Sequence, residues 1–329
     1  MNRRELLFSA AAGAVVTATP GAMAMVQRTR PARHPGVYVQ ELPTAHAIAS
    51  LPTGTALFIG PFSDRLRTGA TVYCSNRVAP AGFANAQPLI EQFFDQGGEN
   101  LVLMQAAELG RGIPDYAGAL AGLDRPDAPD FNLLLLSGAG ERLAANRPGL
   151  GALYRAAATR ARSRFAQLLI EAPDAAPDYA LWRASLGLND PDMAAWAPWL
   201  RTTEGSLVPP GAAIAGLIAR TDRNAGVWRA PAGVNATLDG LSSRAIAADQ
   251  LQAMTLAHIN PVRPLNGATT VWGSRTLSDD PQWRYLPVRR LMRWTEASLA
   301  QGLTWTVFEA NEPALWQAVI RDITEWLTG

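Results

Sequence analysis

FNLLLLSG (Phe131–Gly138), LGALYRAAATRARSRF (Leu150–Phe165) and AQLLIEAP (Ala166–Pro173) decide the fold of this chain. The outer two are short, continuous apolar runs, the pattern of strands buried on both faces, and the middle one is helical. Strand–helix–strand alternation of this kind predicts an α/β layer: a mainly parallel sheet flanked by helices. Working outward, TALFIG (Thr55–Gly60) and LVLMQA (Leu101–Ala106) read as further strands. Between them, Leu89, Ile90, Phe93 and Phe94 of NAQPLIEQFFDQGG fall at helical spacing, and Gly97-Gly98 stops the helix. Asp115–Leu123 is helical, and Trp196–Leu200 supplies another strand.

After Pro209–Gly211, AAIAGLIAR (Ala212–Arg220) is a small-residue helix able to pack closely on the sheet. Ala247–Ile259 is an amphipathic helix; Asn260–Leu265 and Thr269–Thr276 are strands. Arg284–Gly302 and Glu312–Leu327 are helices on either side of a strand, Trp305–Glu309. Near the start, PGVYVQEL has a period-two strand, Val37, Tyr38, Val39 and Gln40, opened by Pro35-Gly36. The expected organisation is a leader over 1–25, an N-terminal arm over 26–41, and one α/β body over 42–329. Within that body a smaller subdomain is expected over 42–101, with 172–208 as an insertion zone and a C-terminal region starting near 260.

Composition narrows the chemistry. The net charge of +1 gives no sign of a nucleic-acid surface or a polyanionic substrate. All 29 basic side chains are Arg, so chemistries that need a lysine, such as a P-loop or a Schiff base, are excluded. A GC-rich genome accounts for that usage. The single cysteine, Cys74, forbids an intrachain disulfide and reads as a small buried hydrophobe. His34, His46 and His258 have no partner at metal-ligand spacing and read as surface or packed residues.

Met1–Ala24 has Arg3 and Arg4, then the apolar LLFSAAAGAVVTAT, then Ala22-Met23-Ala24 as a small-x-small cleavage pattern. Two readings stand: an export signal, twin-arginine or general, and a disordered leader ahead of the true start.

Enzyme motifs are weak. SGAGERLA offers Gly138-x-Gly140 after a strand, a phosphate-cradle pattern, but its third glycine position holds Leu143, so a tight strand-to-helix turn is the better reading. No G-x-S-x-G turn exists for a Ser-His-Asp hydrolase. Asp279-Asp280 lies in SDDPQW, where Asp serves the local backbone. No catalytic, cofactor-binding or metal residues are expected.

One long stretch is far more specific. From Arg220 to Arg290 the chain carries Thr221, Asp222, Gly226, Val227, Trp228, Ala230 and Pro231, then Val271, Trp272, Gly273, Arg275, Thr276, Leu277 and Ser278, then Trp283, Arg284, Tyr285, Val288, Arg289 and Arg290. Their order and spacing resemble the contractile tail sheath proteins of bacteriophages and contractile injection systems, as do HPGVYVQE, PTGTALFIG and FEANEPALW. The resemblance implies a sheath-type fold of subtilisin-like topology without a catalytic site. It implies no cofactor. It implies self-assembly into hexameric rings around an inner tube, with a baseplate as a further partner. Val37–Gln40 becomes the strand added to a neighbouring subunit, and the location becomes a virion tail or injection apparatus assembled in the bacterial cytoplasm. Two weaker readings are an exported sheath-derived binding or surface module and a hydrolase on this topology.

Asp222 and the arginines are expected to form bidentate pairs locking loops to the body, with Trp residues anchoring those loops by burial. Gly211, Gly233, Pro287 and Ala310 depart from the residues usual in the family. Relatives continue past residue 329 into a strand-rich segment and a C-terminal arm. Either a second polypeptide completes the fold, or the chain is a divergent relative that does not polymerise alone.

Overall fold

The computed structural model describes residues 47–109, 112–174 and 178–328. The leader, the arm with Val37–Gln40, His34 and His46 lie outside the described residues. The chain divides into two units, one of Leu51–Ala297 and one combining Ser298–Gly329 with Met1–Ser50.

In the larger unit the elements run β1 (Thr55–Gly60), β2 (Thr71–Cys74), α1 (Gln87–Asp95) and β3 (Asn100–Gln105), then β4 (Glu108–Leu109), β5 (Ile113–Pro114) and α2 (Tyr116–Gly122). Next come β6 (Leu133–Leu136), α3 (Ala139–Arg142), α4 (Arg147–Ser163), β7 (Gln167–Glu171) and α5 (Tyr179–Leu186). The chain continues through β8 (Met193–Ala197), β9 (Leu200–Thr202), β10 (Leu207–Val208) and α6 (Gly211–Ala225). It ends with β11 (Thr237–Leu238), β12 (Leu241–Ser243), α7 (Ala248–Leu256), β13 (Ile259–Leu265), β14 (Ala268–Val271) and α8 (Leu286–Gly302), whose last turn belongs to the smaller unit.

Nine strands form one sheet in the order β11-β14-β13-β8-β7-β6-β1-β3-β2. The six from β13 to β3 are parallel, and β2, β14 and β11 add antiparallel edges. The strands in the middle are apolar on both sides because each side is covered. Leu134 and Leu136 pack with Tyr116, Tyr154 and Trp182 from α2, α4 and α5. Leu133 and Leu135 face Ile90, Phe93 and Ile214 from α1 and α6. The mainly parallel α/β sheet is the architecture that the Phe131–Pro173 stretch predicts.

Three expectations on organisation are corrected. Residues 42–101 do not form a subdomain: β1 and β3 are hydrogen-bonded neighbours in the main sheet, since their apolar runs need cover on both faces. The insertion zone 172–208 likewise contributes β8 to that sheet, while β9 and β10 form a small sheet with β12. Nor is 42–329 one body: the chain divides after Ala297, and β13, at the expected start of the C-terminal region, pairs with β8 in the main sheet.

Trp196–Leu200 is two strands, separated by a cis Ala197–Pro198 bond. In the smaller unit Trp305–Glu309 is no strand. Thr304–Phe308 forms a 3₁₀ turn ahead of α9 (Pro313–Thr328). In that unit Trp326 Nε1 donates to Ser50 Oγ at 3.3 Å, and a Cβ on Gly302 would press on Ile48.

Small residues let α6 approach α1, its neighbour on the same face of the sheet. A Cβ placed on Gly216 would run into the Phe93 carbonyl oxygen of α1, so the two backbones cross at contact distance. Cys74 is buried, free, and its thiol is pushed up to about 11 by desolvation, which keeps it inert.

Candidate functional site

The motif residues from Thr221 to Arg290 converge around α6, α8 and the loop between β14 and α8. Asp222 closes α6. Arg290 donates to both of its carboxylate oxygens, at 2.7 and 2.6 Å, and also to the Thr53 carbonyl at 2.9 Å. Both side chains are buried, so the fork-to-fork geometry is what offsets their desolvation. Thr221 Oγ1 donates back to Leu217 O at 2.8 Å. Gly226, at φ +90°, ends the helix through its N–H to Asp222 O, and its missing Cβ leaves room for the Trp228 ring. Pro231 is buried just beyond.

Arg289 faces the opposite way and binds Asp192 at 2.7 and 3.1 Å. Arg293 and Arg162 bind the same carboxylate, so three guanidinium groups surround one fully buried acid. Burial alone would raise the Asp192 carboxyl. Hydrogen bonds from Arg293 and Arg289, with the Arg289 charge and a bond from Arg162, overcome that and bring it down to about 2. Trp283 lies beneath the Arg289 guanidinium, 4.8 Å from ring centre to carbon.

Asn260, at the start of β13, ties the next loop down. Its amide donates to Ala195 O and Arg275 O, and its oxygen accepts from Arg275 N at 2.7 Å. Gly273 passes so close that a Cβ would meet that Asn260 oxygen at 2.8 Å. Arg275 pairs with Tyr285 as an isolated bridge, and Thr276 donates twice, its N–H to Arg284 O and its Oγ1 to Trp283 O. The Arg284 Nε atom is buried without a hydrogen-bond partner.

The aromatic side chains correct an expectation. Trp228, Trp272 and Tyr285 are 44%, 41% and 50% exposed, so they are not loop anchors held by burial. The Trp272 N–H donates to Pro261 O and Tyr285 bridges to Arg275, while the rings are left half-exposed, Trp272 beside the Arg263 guanidinium. The sequence identified Asp222, Arg289 and Arg290 by type. It gave no signal for Asp192, Asn260, Arg162 or Arg293, whose importance arises from contacts between distant segments.

The enzyme-like motifs resolve as structure. Gly138, at φ +72°, makes the turn from β6 into α3, and its N–H points to Glu171 Oε2 at 3.4 Å. The protein's own carboxylate therefore occupies the side on which a phosphate would sit. Gly211, one of the positions that depart from the family, has no space for a side chain, since a Cβ would lie 2.5 Å from Glu171 Oε1. His258 is buried at φ +60° with Nδ1 unpartnered, and its pKa is lowered by burial and then by Arg183. Asp280 caps the Pro281–Trp283 turn, and Asp279 pairs with Arg183. Among the described residues no cluster of three His, Cys, Asp or Glu is placed for a metal, and no helix is long and apolar enough to cross a membrane.

No protein-family model matches the chain. A putative prophage major tail sheath protein of Pseudomonas aeruginosa (strain UCBPP-PA14) is 27% identical over 149 residues, 43% of this chain and 36% of the relative. A chain of the helical sheath of the anti-feeding prophage, in its contracted state, superposes with a TM-score of 0.70 at 27% identity, covering 89% of this chain and 82% of that one. The chain resembles contractile sheath proteins in sequence and in fold. A further match is a chain of the six-fold symmetrised baseplate of the anti-feeding prophage, with a TM-score of 0.67 at 26% identity over 90% of this chain and 83% of that one. The stretch shared with the curated tail sheath protein spans about a third of that relative's length.

Proposed function

We propose that this chain is a structural subunit of a contractile sheath. In this reading copies stack as hexameric rings around an inner tube and shorten by rotating and repacking as rigid bodies. The observation that carries it is the match to a contracted helical sheath over 89% of the chain. The buried clamps support it, because Asp222–Arg290 and Asp192 with its three arginines hold α8, α6 and β8 in fixed register while a subunit moves. Its role is mechanical, with energy stored in the lattice and no bound nucleotide. Partners are other copies, a tube protein and a baseplate. Assembly takes place in the bacterial cytoplasm, and Val37–Gln40 is the strand offered to the next subunit by β-augmentation.

Electron microscopy of the purified protein, alone and co-expressed with the products of neighbouring genes, tests this. Tubes or stacked rings are expected. Deleting Met1–Glu41 is expected to abolish ring-to-ring linkage while the body still folds. A persistent monomer in every combination overturns the sheath reading, and normal sheaths from the deletion overturn the arm assignment.

A second reading rests on Arg3-Arg4, the apolar run and Ala22-Met23-Ala24: an exported, sheath-derived surface module. Cleavage after Ala24 with recovery outside the cytoplasm favours it.

A further inference from the structure

Glu171 ends β7 in the middle of the sheet, at the carboxyl edge of the parallel strands, where open α/β sheets hold ligands. It is 6% exposed, yet among the described residues no guanidinium reaches it. Oε2 takes only the long contact from Gly138, and Oε1 has no hydrogen-bond partner. The Gly211 amide acts on the carboxylate electrostatically without reaching good hydrogen-bond geometry. Glu171 thus differs from Asp192 and Asp222, which are saturated by arginine.

The same carboxyl lines a cavity of ≈ 490 Å³, within the size range of small-molecule sites. Leu150, Trp182, Leu186 and Trp199 supply apolar wall. Glu141, Asp174 and Asp178 also line it, against a single cation among the described lining residues, Arg147, whose guanidinium donates to Ser185 Oγ at 3.1 Å. The lining is therefore acidic, which disfavours an anion, and its deepest carboxyl lacks a counter-charge. A buried carboxylate is stabilised most by a cation that brings hydrogen-bond donors with it.

We propose that this cavity binds an organic cation with an apolar body, an amidinium, guanidinium or alkylammonium group whose donors meet Glu171 while its body lies against Trp182 and Trp199. The assignment is independent of the sheath reading and stands whether or not the chain assembles. Two sources share this chemistry: a free small molecule, and a basic side chain presented by a polypeptide.

Desolvation raises the Glu171 carboxyl to about 7, with the Glu141 charge adding to it and the Gly138 and Gly211 amides opposing. Tyr116 from α2 and Tyr154 from α4 also face it, both neutral because burial pushes their hydroxyls well up, and α6 presents the Gly211 backbone. A cation should therefore bind the ionised form and be released as pH falls.

Isothermal titration of the full chain tests the assignment with benzamidine, its neutral isostere benzamide, and Nα-acetylarginine amide. Saturable one-to-one binding of a cationic probe is expected at about pH 8. Benzamide should bind at least about tenfold more weakly, and benzamidine should lose about tenfold in affinity between about pH 8 and pH 6. Tighter binding of benzamidine points to a small-molecule source, and tighter binding of the arginine amide to a polypeptide side chain. Glu171→Gln should weaken either probe by about tenfold or more and flatten the pH dependence. Leu181→Arg, at a position 64% exposed on the cavity lining, should block binding without touching the core. Absence of saturable binding by both cations at millimolar concentration overturns the proposal. So does equal binding of benzamide, or binding unchanged in the folded Leu181→Arg protein.

Discussion

Arg290 shows what one side chain decides in this molecule. It joins Asp222, 68 residues earlier in the chain, to the Thr53 carbonyl, and both charged partners are buried. Removing one member of such a pair leaves a buried charge without compensation. Arg290→Met is therefore expected to cost about 3–5 kcal/mol in urea unfolding. Asp222→Leu combined with Arg290→Met should recover most of that loss, because no orphaned charge remains. A single variant within about 0.5 kcal/mol of wild type would show that the pair does not lock the loop. The residue types at these positions were legible in the sequence, and so was their capacity for bidentate pairing. Their partners were not, since an Arg on a helix carries no local mark of which carboxylate it will meet. Asp192 is the clearest case. It sits in an unremarked NDPD turn, and only the packing of α4 and α8 against β8 brings Arg162, Arg289 and Arg293 to it.

Among the elements, α6 was read from its run of Ala and Gly as a helix packing closely on the sheet, which it does through Ile214 against Leu133 and Leu135, but its contact with a neighbouring helix was not foreseen. The structure sets its backbone against α1, with Gly216 opposite the Phe93 carbonyl. Gly216→Ala raises helix propensity and, on an open face, would stabilise. Here the added methyl must push two helices apart, so a loss of about 1–3 kcal/mol is expected, seen as a lowered thermal midpoint. A neutral or stabilising result would mean that the crossing is looser than described. Trp305–Glu309 illustrates the opposite failure. Its alternating β-branched and aromatic residues suit a strand, yet it turns into 3₁₀ helix, leaving Val307 and Phe308 exposed.

For the molecule as a whole, two buried carboxyls set opposing pH dependences. Asp192 is lowered from 3.8 to about 2, so its contribution is complete above about 3.8 and is lost as pH falls through about 2. Glu171 is raised from 4.5 to about 7, so its contribution is complete below about 4.5 and is lost as pH rises through about 7. Together they favour the fold most near pH 4. Urea midpoints of the wild-type chain should therefore fall between about pH 5 and pH 8, and Glu171→Gln should lose that slope. An identical slope in the variant would remove Glu171 as its source.

The sequence by itself determined the layer type, most strand and helix positions, and the resemblance that runs from Arg220 to Arg290. These depend on local periodicity and on spacing along the chain, which are written in consecutive residues. Tertiary structure alone decided that β1 and β3 are central sheet strands and that Trp228, Trp272 and Tyr285 remain at the surface. It also gave Asp192 three arginines and Glu171 none. Burial and charge pairing are properties of segments brought together from far apart, and their desolvation is fixed only when the layers close.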